Sequence, residues 1–446
     1  MSAQNMYGIT VPTSNYVNSV SETFPSDRRQ YKIESTIDSR NLRDFLPTNV
    51  NLNNGSVNDN YIEFILEGNS EEFYDLSSCY IEMKIRITKA DGSPLDAASN
   101  VTVIDGMSHR ILNRSSIYLN SCPIESNSYF GVTNLLRNYL NMDSEELKSV
   151  GRNMFYKSLD TTIHDKITAA VFDDNNMSPD EASIIRDVRD VIHTVCPLML
   201  DISTSNFYLL NNVGMRLRFD LAPSSVILNT YGNEEYKYKL DMVKMWCSKI
   251  KPVPGALLSL QKHLTNANAT IEYLYDKPVV KSFIFPTGHN TLMLDNVFSG
   301  MVPNEIFMCI ISQTANNGSY TRNASYFSHC NLSNVTLDIN GNTVSKLTCT
   351  FPSQIAQIFH NTISNLANTR NLLTIDNFKR GRTIMAWNLS PTTAQDVLNL
   401  ERTGNVRISL NCAKPPIENH IVFVVGMMSG LFEIDSNRRV TCNNKM

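Results

Sequence analysis

The chain has little of what catalysis usually needs. It carries no G-x-x-x-x-G-K-[ST] loop to cradle phosphates, no H-E-x-x-H or H-x-H pair to grip a metal, and no G-x-S-x-G elbow to present a serine. Its nine cysteines (79, 122, 196, 247, 309, 330, 349, 412 and 442) form no C-x-x-C pair, which argues against a zinc site. An odd count at wide spacing fits reduced, buried thiols rather than a disulfide framework. The eight histidines (109, 164, 193, 263, 289, 329, 360 and 420) are far apart in sequence. A cupin-type metal site would have to be assembled by folding alone. Charge is also scarce: 18% of residues, with 39 Lys+Arg against 43 Asp+Glu, for a net charge of −4. Such a chain is not built to wrap nucleic acid by charge.

Targeting signals are missing as well. The opening MSAQNMYGITVPTSNYVNS has neither a basic n-region nor an apolar h-region, so no secretory signal is expected. Gly does not follow Met1, which removes myristoylation. The most apolar stretch, Ile421 to Phe432, is too short to span a bilayer and runs into Glu433 and Asp435. It is expected to be a buried strand and turn, and no membrane span is expected. Sequons at Asn113, Asn323 and Asn334 are what an Asn- and Ser-rich chain yields by chance.

At 446 residues and 50.3 kDa the length suggests two or three domains. Hydrophobic residues make up 42%, including 19 Phe, 18 Tyr and 18 Met, enough for a sizeable core and too many for disorder. Asn is abundant, on the order of a tenth of the chain, and favours turns over element interiors. Many short strands joined by loops are expected.

Residues 1–58 are polar and aperiodic and read as an N-terminal arm, with short ordered pieces around Tyr31 to Ile37. From Tyr61 the pattern changes. Tyr61 to Leu66 is strand-like and closes at Gly68-Asn69. In Tyr80 to Thr88, Ile81, Met83, Ile85 and Ile87 alternate with Glu82, Lys84, Arg86 and Thr88, predicting a half-buried antiparallel strand before an Asp91-Gly92 turn. Val213 to Leu221 and Val406 to Cys412 alternate in the same way. Helices are fewer. Ser178-Pro179-Asp180-Glu181 supplies a cap before Ile184, Ile185 and Val188, and Pro352-Ser353 precedes a helical face from Ile355 to Leu366. Val132 to Leu140 and Leu257 to Leu264 show weaker helical patterns.

The layout repeats. Tyr61–Leu66 with Gly68 is matched to Lys281–Pro286 with Gly288, and Asn120 to Asn340, both at an offset of 220. Val213–Leu221 parallels Val406–Cys412, and Lys237–Ile250 parallels His420–Ile434. Two copies with about eight strands each fit β-sandwiches of the jelly-roll kind. The expected division is a first jelly roll at 59–250, a linker with a short helix at 251–265, a second jelly roll at 266–438 and a tail at 439–446.

Two weak clusters stand out. Glu71-Glu72 with Asp75 is a possible carboxylate pair, but a solvated loop is the favoured reading. Asn377-Phe378-Lys379-Arg380-Gly381-Arg382 is the most basic stretch, and a solvated loop or inter-subunit contact is favoured over a nucleic-acid site. No residue is assigned a catalytic, cofactor-binding or metal-ligating role.

The run Phe64-Ile65-Leu66-Glu67-Gly68-Asn69-Ser70-Glu71-Glu72-Phe73-Tyr74-Asp75-Leu76, continuing into Tyr80 to Gly92, resembles the opening strands of the double jelly-roll major capsid proteins of Polinton/Maverick elements and adintoviruses. Asn317 to Asn323, Phe327 to Leu332, Gly404 to Ile408 and Leu431 to Arg438 are similar to that family's second jelly roll. Asp105-Gly106-Met107-Ser108-His109-Arg110 and Val424 to Met428 depart from its pattern.

The resemblance implies a non-enzymatic virion protein without cofactors. It implies a homotrimer forming a pseudo-hexameric capsomer that tiles an icosahedral shell beside neighbouring capsomers, with penton and minor capsid proteins as further partners. Sequence-specific nucleic-acid binding is not implied, synthesis is expected in host cytosol, and the arm could lace beneath neighbouring capsomers. Two other readings stay open: a lectin-like β-sandwich attachment protein, and a jelly-roll enzyme of cupin type.

Overall fold

Period-two alternation sets most of the strands. The computed structural model describes residues 37–49, 60–96, 99–158, 163–173, 179–204, 207–232, 234–267, 270–366, 372–390 and 402–442. The arm up to residue 36, the expected cap Ser178 and the last four residues lie outside it. The first half supplies β1 (Ile37–Phe45), β2 (Tyr61–Leu66), β3 (Phe73–Lys89), β4 (Val101–Val103), β5 (Leu112–Leu119), β6 (Cys122–Asn127), β7 (Ile192–Pro197), β8 (Met215–Leu221), β9 (Leu228–Thr230) and β10 (Tyr236–Pro252). The second supplies β11 (Ile271–Phe285), β12 (Thr291–Val302), β13 (Glu305–Ser312), β14 (Leu332–Ile339), β15 (Asn342–Thr348), β16 (Ile384–Asn388), β17 (Arg402–Cys412), β18 (His420–Ile434) and β19 (Val440–Cys442).

The sheets are β1-β10-β3-β7 and β2-β8-β5-β6 in the first half, and β11-β18-β13-β16 and β12-β17-β14-β15 in the second. Setting aside the β4–β9 ribbon and β19, each half has the same order. Its first, eighth, third and sixth strands make one sheet, and its second, seventh, fourth and fifth make the other. All these ladders are antiparallel. The chain is therefore a double jelly roll, all-β with short inserted helices.

The duplication is sharpest at one hairpin. Asn120 and Ser121 join β5 to β6, and Asn340 and Gly341 join β14 to β15, all four with positive φ. Two left-handed residues in succession match the twist of flanking strands. The Gly214 amide donates to Asn120 Oδ1 at 2.8 Å, and the Asn405 amide donates to Asn340 Oδ1 at 2.8 Å.

The structure corrects several expectations. Ile37–Phe45, expected within the arm, is a strand paired along β10. Tyr61–Leu66 is the second strand of its sandwich, so its counterpart is β12; residues 281–285 close β11, whose counterpart is β1. Lys251 and Pro252, expected as linker, still pair with β1, and the connecting helix runs Pro254–Ala267. Within the expected tail, Val440–Cys442 pairs with β18.

One apolar cluster fills the first sandwich and continues into the second, and another fills the interior of the second. β18 lies between them. Val422 and Val424 point into its own sandwich, and Ile421, Phe423 and Val425 point toward the first. β13 does the same with Ile306, Met308 and Ile310 against Cys309 and Ile311. Burial on both faces explains why Ile421 to Val425 reads as an unbroken apolar run. Farther along β18, a Cβ on Gly430 would meet the Tyr275 ring at 2.5 Å. Gly430→Val is expected to cost about 1–3 kcal/mol through overpacking, read as a lowered thermal midpoint.

Candidate functional site

Among the described residues no three His, Cys, Asp or Glu side chains converge to hold a metal. All nine cysteines are free, and burial pushes Cys349 up to about 11 and Cys330 and Cys412 to about 12. Such thiols carry little thiolate at neutral pH and are poor nucleophiles. No helix among the described residues is long and apolar enough to cross a membrane.

The chemistry is concentrated instead where the two sandwiches meet. Gly106, with φ of 66°, turns the chain into the short helix Met107–Arg110, and a Cβ there would meet Leu135 at 2.7 Å. The turn buries Asp105 completely. Its carboxylate accepts from the Lys157 amide at 2.7 Å and from the Tyr139 hydroxyl, and pairs with Arg382 of the second half at 3.1 Å. Arg382 donates to Lys157 O at 3.2 Å and lies 5.0 Å over the Tyr139 ring. Burial opposes the guanidinium's charge, but Tyr139 and Asp105 outweigh it and raise its pKa. Ser325 of the second half donates to Asp105 O at 2.8 Å.

His109 is buried one turn on. Asn138 Nδ2 donates to its Nδ1 at 3.2 Å, which places the ring proton on Nε2, 3.1 Å from Pro197 O. Burial lowers its pKa to about 4, so it is neutral. Nearby, Arg322 of the second half pairs with Asp165 at 2.6 Å and with Glu418. Tyr129, just past β6, stacks edge-on against Phe423 of β18 at 5.0 Å and hydrogen-bonds Ser282 of β11 at 3.0 Å. Arg438 donates to Asn211 Oδ1 at 2.6 Å, and Asn120 donates to Arg438 O at 2.8 Å.

A second polar group lies across the junction. Arg137 pairs with buried Asp201 at 2.7 Å, and burial raises the pKa of Asp201, Glu125 and Asp276. Burial, then the charge of Asp276, lifts Glu305 to about 7.

The basic cluster is placed differently than expected, whereas Glu71 and Glu72 lie in the loop before β3 as expected and only Asp75 of the acidic cluster departs. Arg382 is not in a solvated loop: it is 1% exposed and bonded across the junction, and Asn377 and Phe378 are buried too. Asp75 is not in a loop either; it is buried in β3 and bound to Arg40 at 2.6 Å. Glu71 and Glu72 pair with Lys251 and Lys249 at 3.0 and 3.1 Å. The Asp105 hub was missed in the sequence. One signal pointed to it: Ser108-His109 and Ser328-His329 repeat at the 220-residue offset of Asn120 and Asn340, flagging the segment before β5 and β14 as part of the duplication.

No model of a known protein family matches the chain. The Caenorhabditis elegans protein named Uncharacterized protein F54H12.2 is 22% identical over 395 residues, spanning 83% of this chain and 90% of that one. Among solved structures, that of the Sputnik virophage matches 94% of this chain and 90% of its own, with TM-score 0.60 and 12% identity. The Faustovirus major capsid protein matches 93% and 94%, with TM-score 0.57 and 10% identity. The mavirus major capsid protein matches 95% and 94%, with TM-score 0.53 and 12% identity. At such identities the likeness is one of fold, and it runs through both sandwiches.

Proposed function

We propose that this chain is a major capsid protein, three copies of which form a pseudo-hexagonal block that tiles an icosahedral shell. The observation that carries the reading is the twofold use of one eight-strand order, shared nearly end to end with solved capsid proteins. A duplicated sandwich lets a threefold ring approximate sixfold symmetry, and hexagonal blocks pack without gaps. The role is structural rather than enzymatic, with neighbouring capsomers, penton and minor capsid proteins as partners and the virion as its location. Within that class, the strand motifs favour the Polinton/Maverick and adintovirus lineage, and a nematode relative fits an element carried in animal genomes. The division into two jelly rolls we place at the helix Pro254–Ala267, with the first beginning at β1. Negative-stain electron microscopy of the expressed protein is expected to show hexagonal blocks or closed shells. Featureless particles of monomer size at high concentration would count against the reading.

A further inference from the structure

Arg110 ends the short helix Met107–Arg110 at the junction and is 3% exposed. Its guanidinium has no ion pair or hydrogen bond among the described residues, and Nε is shut off from solvent. Asp105, the acid five residues before it, is already paired with Arg382. The groups whose charge would bear on Arg110 are the Cys309 thiol of β13 and the Tyr139 and Tyr156 hydroxyls. Burial raises the pKa of all three, so none of them is an anion at neutral pH. Burial lowers that of Arg110 only to about 10, so the guanidinium keeps its proton. A charge taken out of water and left without a counter-charge is strongly unfavourable, and buried charges in folded proteins are paired.

The duplication shows that a single sandwich does not require this charge. At the 220-residue offset that relates Ser108-His109 to Ser328-His329, Arg110 falls on Cys330, which is buried inside the second sandwich. A second unpartnered group lies on the helix Phe130–Asn141. A Cβ on Gly131 of this helix would stand 3.2 Å from Arg110 Cα, and Asn138 bonds His109, so one helix face packs on the turn that carries Arg110. Asn134, three residues after Gly131 and four before Asn138, shares that face. It is completely buried, and neither its Nδ2 nor its Oδ1 has a hydrogen-bond partner among the described residues. A guanidinium and a carboxamide N–H are both donors, and one of them carries a full positive charge. Their complement is an anion. Burial restricts its kind: a divalent oxyanion would leave a charge uncompensated and give up far more hydration than a monovalent halide.

We propose that Arg110 and the Asn134 amide hold a monovalent halide, chloride in the cell, where the two sandwiches meet. The ion neutralises the guanidinium and stabilises the junction. This site does not depend on the capsid reading. Thermal unfolding of the full chain in sodium chloride and in sodium gluconate at equal ionic strength tests it. Replacing gluconate by chloride is expected to raise the midpoint by about 3 °C once chloride reaches a hundredfold its dissociation constant. Arg110→Met removes the charge and its donors and keeps an unbranched side chain, and it is expected to lose that gain. A crystal of the unmodified chain grown in bromide decides the matter if the variant fails to fold: an anomalous scattering peak beside the Arg110 guanidinium is expected. Equal midpoints in the two salts, with no bromide at Arg110, would overturn the site. So would a chloride gain that Arg110→Met retains in full.

Discussion

Replacing Arg382 with methionine is expected to destabilise the protein by about 3–5 kcal/mol, the usual cost of stranding one member of a buried ion pair. Asp105 would be left fully buried without its counter-charge, with the Lys157 amide and the Tyr139 hydroxyl as remaining donors. The double variant Asp105→Asn/Arg382→Met is expected to recover much of the loss. An amide at residue 105 can still accept from the Lys157 amide and leaves no charge to compensate. Urea unfolding of the four members of this cycle measures the coupling, expected to exceed about 1 kcal/mol for groups in one buried network. Additive single costs would show that the pair does not act as a unit.

The same cycle reads out cooperativity. One apolar cluster spans the first sandwich and the facing side of the second, so the unmodified chain is expected to unfold in a single transition. Arg382 and Asp105 stand 277 residues apart in sequence and join the halves across that boundary. Cutting the link in Arg382→Met is expected to separate the melting of the second sandwich, which has its own interior cluster, from that of the first.

The elements that could be read in advance were those whose residues announce their own environment. Ile81, Met83, Ile85 and Ile87 are buried on one face of β3, as their alternation requires, and the Asn120 and Asn340 turns sit at matching places in the two copies. The first strand could not be read this way. Ile37 to Phe45 is an edge strand whose side chains are almost all exposed or half-exposed, so no periodicity marks it. It is ordered by the ladder to β10, a partner some 200 residues away in sequence. Missing it shifted the matching of the repeat by one strand. Arg382 misled for a related reason. A guanidinium is read as solvated unless its counter-charge is known, and the sequence does not show that Asp105 comes to meet it.

Stability against pH is expected to hinge on Glu305. Its side chain faces the junction among carboxyl groups: Asp276 on β11 raises its pKa further, and Asp201 and Glu125 lie beyond, with Arg137 as their counter-charge. The folded carboxyl holds its proton to about pH 7, whereas the ordinary value is 4.5. Its contribution is therefore complete below pH 4.5 and is lost as pH rises through 7, up to about 3 kcal/mol at 1.36 kcal/mol per unit. His109 works the other way. Folded, it stays neutral down to about 4, against an ordinary 6.5, so its contribution is complete above 6.5 and lost as pH falls through 4. Between about pH 4.5 and 6.5 the two slopes oppose each other. Glu305→Gln keeps the shape of the protonated acid and removes its titration. The variant is expected to gain up to about 3 kcal/mol over the unmodified chain between pH 4 and pH 8, and to expose the His109 slope on the acid side. Urea midpoints measured across that range check both. A stability difference between the two proteins that does not change with pH would show that Glu305 titrates like an exposed glutamate, and the junction would then have to admit water.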